Sequence, residues 1–230
     1  WCFAIIFFAW LILFEIPRPQ LYFGETIIIV GIIFPRRSSL LKGSSLIKLS
    51  KNYASKTYPW LVWSLAALFY CYGFFQRVAP SVMIENLMID FGVNAAVLGN
   101  LSAFYFYAYA SLQLPIGVMV DYWGPRRTLV GAALLCGIGS FLFANSDTIT
   151  GAYVGRFLIG AGAGFTWVGT LTLASQWLPK SRFALVSGMT LMLGMIGAVL
   201  GQAPLASAVA TFGWRNTLGG AALVAFIISV

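Results

Sequence analysis

The sequence predicts an all-α integral membrane protein with six membrane-spanning helices, the last of them incomplete. Three observations carry this. Of the 230 residues, 60% are hydrophobic and only 9% charged, where soluble domains hold roughly 45–50% apolar and about 25% charged residues. From Pro59 onward, long apolar stretches alternate with short polar loops. The basic residues gather in every second loop, as cytoplasmic loops of membrane proteins do.

The chain divides at residue 58. Residues 2–14 and 26–34 are apolar runs separated by the polar, proline-containing residues 15–25, and both are too short to span a bilayer, which takes about 20 residues. They fit an interfacial hairpin, a damaged signal-like segment or sequence outside the true reading frame, and no function is assigned to them. Residues 36–56 form a Ser/Lys/Arg-rich linker, expected to be disordered, cytoplasmic and attracted to anionic lipid headgroups. The second domain, residues 58–230, begins with spans at 59–82, 95–120 and 128–144, punctuated by Pro and charge. Further spans follow at 149–177, 184–211 and 217–230, the last truncated.

Charge placement orients these spans. Lys48, Lys51 and Lys56 precede span 1, Arg126 and Arg127 separate spans 2 and 3, and Lys180 and Arg182 separate spans 4 and 5. The alternate loops carry Glu85, Asp90 and Asp147, with Arg215 as the basic exception. The amino terminus is therefore expected in the cytoplasm, with the protein spanning an inner or plasma membrane.

Composition also excludes chemistry. No histidine is present, which removes His-based triads, His–metal sites and His proton relays. Cys2, Cys71 and Cys136 are isolated in apolar sequence and read as small buried hydrophobes. No nucleophile–base pair, phosphate loop or metal cluster is recognisable, and the Gly-x-Gly-x-Gly run of span 4 follows no strand. An enzyme is not expected, nor any cofactor or metal. The net charge of +8 follows membrane topology, so nucleic acid is not an expected partner either.

The most specific stretch, Gly117-Val-Met-Val-Asp121-Tyr-Trp-Gly124-Pro-Arg126-Arg127, links spans 2 and 3. Gly124 permits an unusual backbone angle and Pro125 fixes the next, so the acid faces two cations across a very short loop. The stretch resembles the signature loop of the major facilitator superfamily. Gly155-Arg156-Phe-Leu-Ile-Gly160-Ala-Gly162-Ala-Gly164 in span 4 is similar to the Arg-containing fourth-helix motif of the same superfamily. The resemblance covers residues 58–230. It implies the amino-terminal six-helix bundle of a twelve-helix transporter, itself two inverted three-helix repeats, with the carboxy-terminal half as missing partner. It further implies that Gly117, Asp121, Gly124, Arg126 and Arg127 form a conformational latch against that half. Tyr122 departs from the family pattern, which has Arg or Lys there.

Candidate substrate contacts follow from cost. An arginine within an apolar helix costs about 2.5–3.5 kcal/mol on insertion scales, so Arg156 should face an aqueous cavity or an anion. In span 1, Tyr70, Phe74, Arg77 and Ser81 recur at steps of four, three and four and share a helical face. An aromatic face holding an arginine suits a carboxylate with some apolar surface; the alternative is Arg77 snorkelling to headgroups. Its position resembles the Asp-Arg pair of the superfamily's anion:cation symporters, with Gln76 in place of the acid. Tyr105, Tyr109 and Gln113 align on one face of span 2, where they can bind a polar solute or join helices. Gly160 and Gly164, and Gly197 and Gly201 in span 5, read as helix-packing positions, and Trp214 as an interfacial anchor.

No acid lies within a span after Glu85 except Asp121 at a cytoplasmic end, so a coupling proton would titrate elsewhere. The expected function is alternating-access transport of a small carboxylate-bearing organic anion, by symport or uniport. One alternative is a dipeptide uniporter, since parts of the sequence also resemble lysosomal dipeptide uniporters. The other is a truncated membrane protein without transport of its own. Expected partners are a small-molecule solute, a coupling ion, membrane lipid and the carboxy-terminal six-helix half.

Overall fold

The computed structural model describes residues 58–229, so the expectations for residues 1–57 lie outside the described residues. Helix α1 (Tyr58–Val78) runs into a 3-10 turn (Ala79–Val82), and the short α2 (Ile84–Phe91) leads to α3 (Ala95–Trp123). Then come α4 (Pro125–Ala144), α5 (Ile149–Trp177), a 3-10 turn (Lys180–Arg182), α6 (Phe183–Leu200), α7 (Ala203–Phe212) and α8 (Trp214–Ser229). Five helical stretches are long and apolar enough to cross a membrane, Tyr58–Val82, Ala95–Trp123, Pro125–Ala144, Ile149–Trp177 and Lys180–Phe212. The sixth expected span corresponds to α8, described over 16 residues.

The helix ends follow local chemistry. Asn94 caps α3 by accepting a hydrogen bond from the Val97 N–H at 3.0 Å, and Thr148 caps α5 through the Gly151 N–H. Gly124, at φ +83°, stops α3, a backbone angle open to glycine. Pro125 opens α4 at a position where its missing N–H costs nothing. Span 3 therefore starts at Pro125 rather than at 128, and span 2 reaches Trp123 rather than 120. Span 6 likewise starts at Trp214 rather than 217.

Span 5, read as one segment over 184–211, is two helices. Pro204 has no N–H to give the Leu200 carbonyl, and the chain turns at Gly201 and Gln202 before α7 begins. Helix α2 was not foreseen; it lies between the first two spans and ends on Gly92 at φ +62°.

Helix α5 occupies the centre and packs on α4, α3 and α1, while α1 also packs on α6 and α4 on α8. Small residues set these distances. A Cβ on Gly139 would stand 2.8 Å from the Gly155 carbonyl oxygen, and one on Gly155 equally close to that of Gly139. Gly160 abuts the Tyr105 backbone of α3, and Gly197 the Cys71 carbonyl of α1. Gly164 faces Ile116, 2.9 Å from the nearest side-chain carbon, and Gly201 faces the Phe75 carbonyl at the same distance. Cys71 and Cys136 are buried and free.

At the end holding α2, Trp214 and Arg215 both meet Asp90. Trp214 is buried against Phe91 and Phe143 rather than set in an interface. Its indole N–H donates to Asp90 Oδ2 at 2.7 Å, so the hydrogen bond that a headgroup would take is made inside the bundle end. Arg215, the basic exception among these loops, pairs with the same carboxylate at 3.7 Å. Its charge is thereby balanced locally and does not contradict the topology signal.

Candidate functional site

The site forms where α1 ends beside α3 and α5. Pro80, in the turn after α1, lacks the N–H that would bond the Gln76 carbonyl four residues earlier. Arg156 of α5 takes that orphaned acceptor, its Nη1 donating to Gln76 O at 2.8 Å. The guanidinium carbon of Arg156 lies 4.8 Å from the centre of the Tyr105 ring. One residue beyond Gln76, Arg77 projects among aromatic rings, 4.6 Å from Phe74, 5.0 Å from Tyr109, 5.8 Å from Phe106 and 5.9 Å from Tyr105. Tyr105 therefore borders both cations, and it stacks on Tyr109 at 6.3 Å.

The two arginines differ in access. Arg156 is 1% exposed and Tyr105 fully buried, whereas Arg77, Tyr109 and Gln113 are part-buried. Tyr70 is buried two helical turns before Arg77, against Phe74, Trp167 and the Gly194 backbone. Its only ring contact toward the cations is Phe74. Ser81 leaves the face on which helical spacing placed it, because α1 stops at Val78; its hydroxyl is exposed and donates to the Val78 carbonyl.

The polar inventory of this cluster does not close. Five buried side-chain atoms have no hydrogen-bond partner among the described residues, and all belong here: Gln76 Oε1, Arg77 Nε, the Tyr105 hydroxyl, and Arg156 Nε and Nη2. The one ion pair among the described residues, Asp90–Arg215, lies elsewhere. Two cations in an apolar bundle without a counter-charge are costly, and an anion arriving between such donors would relieve that cost. Together the donors can hold a carboxylate, with aromatic surface beside it.

Sequence reasoning passed over the support of this site. Gln76 Nε2 donates to the Tyr72 hydroxyl and to Ser140 Oγ, and those two hydroxyls are 3.1 Å apart, tying α1 to α4. Two signals were present: Tyr72 and Gln76 are four residues apart on an apolar helix, and Pro80 follows Gln76 at the spacing that frees a carbonyl.

At the opposite end, Asp121, Arg126 and Arg127 are all exposed, and Gly117 has open space around it. Asp121 pairs with neither arginine, so the acid does not meet the two cations expected to face it.

These features define a polytopic helical membrane protein with a cationic, aromatic-lined site between its helices. The sequence profile of the Major Facilitator Superfamily matches residues 63–230, and the chain belongs to that superfamily. The transporter YybO of Bacillus subtilis is 30% identical over 68% of this chain and 36% of its own length. A probable sulfoacetate transporter, SauU, of Cupriavidus necator is 25% identical over the same shares of the two chains. The 4-hydroxybenzoate transporter PcaK of Pseudomonas aeruginosa is 25% identical over 75% of this chain and 39% of its own. The chain thus spans little more than a third of these relatives. Membership of a transporter family agrees with the expectation that the chain is no enzyme.

Proposed function

We propose that this chain contributes the amino-terminal six-helix half of a carrier that moves a small carboxylate-bearing organic anion by alternating access. The observation that carries the reading is the set of four unpartnered donors, Arg77 Nε, the Tyr105 hydroxyl, and Arg156 Nε and Nη2, with no acid paired to either cation among the described residues. Arg77, on the accessible side, takes the carboxylate, with Tyr109 beside it and Tyr70 supporting Phe74; Gln113, one turn beyond Tyr109 on the same helix, extends the polar lining. Arg156, fully buried, holds the α1 backbone at Gln76 and adds its charge from behind Tyr105. The names of the relatives, which include sulfoacetate and 4-hydroxybenzoate transporters, support an organic anion over a dipeptide. A dipeptide would also present an ammonium, and the cluster holds two arginines and no carboxylate to pair with it.

In this reading the amino terminus is cytoplasmic, a second six-helix half faces the open side, and Gly117, Asp121, Gly124, Arg126 and Arg127 latch the two. The test is thermal stabilisation of the purified full-length protein by sulfoacetate, tartrate, 4-hydroxybenzoate and a dipeptide. An anion at about 100 times its Kd stabilises by about 2.7 kcal/mol, and Arg77→Ala and Arg156→Ala should each abolish that shift. Shifts unchanged in both variants would remove the site assignment, and a shift with the dipeptide alone would favour the peptide carrier.

A further inference from the structure

Only one of the two cations in the anion cluster is open to a solute. Arg156 is 1% exposed and stands behind Tyr105, with one nitrogen committed to the Gln76 carbonyl. Arg77 is part-buried and reachable. The other basic residues of the described region, Arg126, Arg127, Lys180, Arg182 and Arg215, sit in the first turns of helices or in the turns between them. A second carboxylate beside Arg77 would therefore lose its water without meeting a charge. What surrounds Arg77 instead is aromatic, with the ring centres of Phe74, Tyr109 and Phe106 at 4.6, 5.0 and 5.8 Å from its guanidinium carbon. The aromatic wall continues along α1 and onto α5: Tyr70 meets Phe74 at 5.0 Å with the rings inclined by 61°, and Trp167 at 5.3 Å and 40°. Seven residues of helix separate Arg77 from Tyr70, about 10 Å, and the part-buried Trp167 stands at that far end. Side-chain polarity in this wall is confined to ring edges, the Tyr70 and Tyr109 hydroxyls and the Trp167 N–H.

Resting on the reading of this cluster as an anion site, we infer that the solute is an aromatic monocarboxylate, its carboxylate on Arg77 and its ring against Phe74 and Tyr109, with Tyr70 and Trp167 beside the ring's far end. One reachable guanidinium takes one carboxylate, and its planar fork matches both oxygens. Rings in offset or inclined contact attract one another through their edges and faces, an attraction that a saturated ring of similar size does not share. The same wall selects against two other classes of anion. A dicarboxylate would leave its second charge against aromatic carbon, and a polyhydroxylated acid would bring more hydroxyls than the wall can pair.

Calorimetric titration of the purified full-length protein with benzoate, cyclohexanecarboxylate, succinate and tartrate ranks these classes without any substitution. Benzoate should bind about 2- to 12-fold more tightly than cyclohexanecarboxylate, the range of an aromatic pair beyond its buried area. It should bind roughly tenfold or more tightly than succinate or tartrate, whose extra polar groups are left without partners. Phe74→Leu and Trp167→Leu should each bring the ratio of benzoate to cyclohexanecarboxylate affinity toward one, and Trp167→Phe should keep it. The readout is a ratio within one variant, so a general loss of affinity does not imitate the effect. Succinate or tartrate bound more tightly than benzoate, with the binding lost in Arg77→Ala, would overturn the aromatic class and leave the anion site standing. Equal affinities for benzoate and cyclohexanecarboxylate, or a ratio that neither leucine variant lowers, would overturn it in the same limited way. Binding of none of the four acids would remove the anion site itself, and this inference with it.

Discussion

Tyr105 carries a hydroxyl without a hydrogen-bond partner among the described residues, on a ring that borders both arginines. A merely structural tyrosine in this position would satisfy its hydroxyl internally, because an unpaired buried polar group costs about 1–3 kcal/mol. Removing that oxygen breaks no bond within the described structure. Tyr105→Phe should therefore leave the melting temperature of the anion-free full-length protein unchanged or raised. It should weaken anion binding, since a hydrogen bond to a charged group contributes about 1.5–3 kcal/mol, tenfold or more in Kd. Calorimetric titration together with a melting curve checks both halves, and loss of stability with unchanged Kd would mean that the hydroxyl serves the fold. Arg156 behaves differently, because its bond to the Gln76 carbonyl replaces one that Pro80 cannot make.

Among the elements, close approach of helices rests on individual glycines. A methyl group on Gly197 would run into the carbonyl of Cys71, which belongs to the α1 backbone and cannot swing aside, while one on Gly188 of the same helix would meet nothing. Gly197→Ala should destabilise the full-length protein by about 1–3 kcal/mol through forced separation of α6 from α1. Gly188→Ala should stay within about 0.5 kcal/mol of the parent. Unfolding of the two variants in a graded denaturing detergent separates them, and equal stabilities would show that α6 shifts freely against α1. The same helix shows what the sequence could and could not disclose. The spans were legible because a bilayer demands length and apolarity whatever the packing, and Arg77 and Arg156 because a charge in such a span is costly. The break at Gly201 and Gln202 was not, since mean hydropathy runs straight through it. Nor was α2, whose eight residues are too few to register as a span. Gln76, Tyr72 and Ser140 escaped for another reason: each is unremarkable alone, and only the packing of α1 on α4 brings them together.

At the scale of the molecule, burial is lopsided. Within the hydropathic core of α5, 67% of residues are buried, against 22% for α3 and for the stretch containing α6 and α7. Leu114 and Tyr107 of α3 and Met195 of α6 stand largely bare, so these two elements hold the surface available to lipid or to a second six-helix half. The relatives extend well beyond the region they share with this chain. Gly117 and Asp121 lie toward the end of α3 and neither makes a contact that would explain a rigid role in this bundle. If they latch the second half in one end state, Asp121→Asn removes the charge while preserving the shape, and the coupling lost should be about 1–3 kcal/mol, a 5- to 150-fold change in the ratio of inward to outward states. That ratio can be read in the full-length carrier from the rates at which a cysteine introduced at Gln113 reacts with impermeant reagents applied from either side. The expected result is a shifted ratio with anion binding retained, since Asp121 stands apart from Arg77 and its aromatic neighbours. A fall in affinity with an unchanged ratio would contradict the latch and place Asp121 in the energetics of the binding site instead.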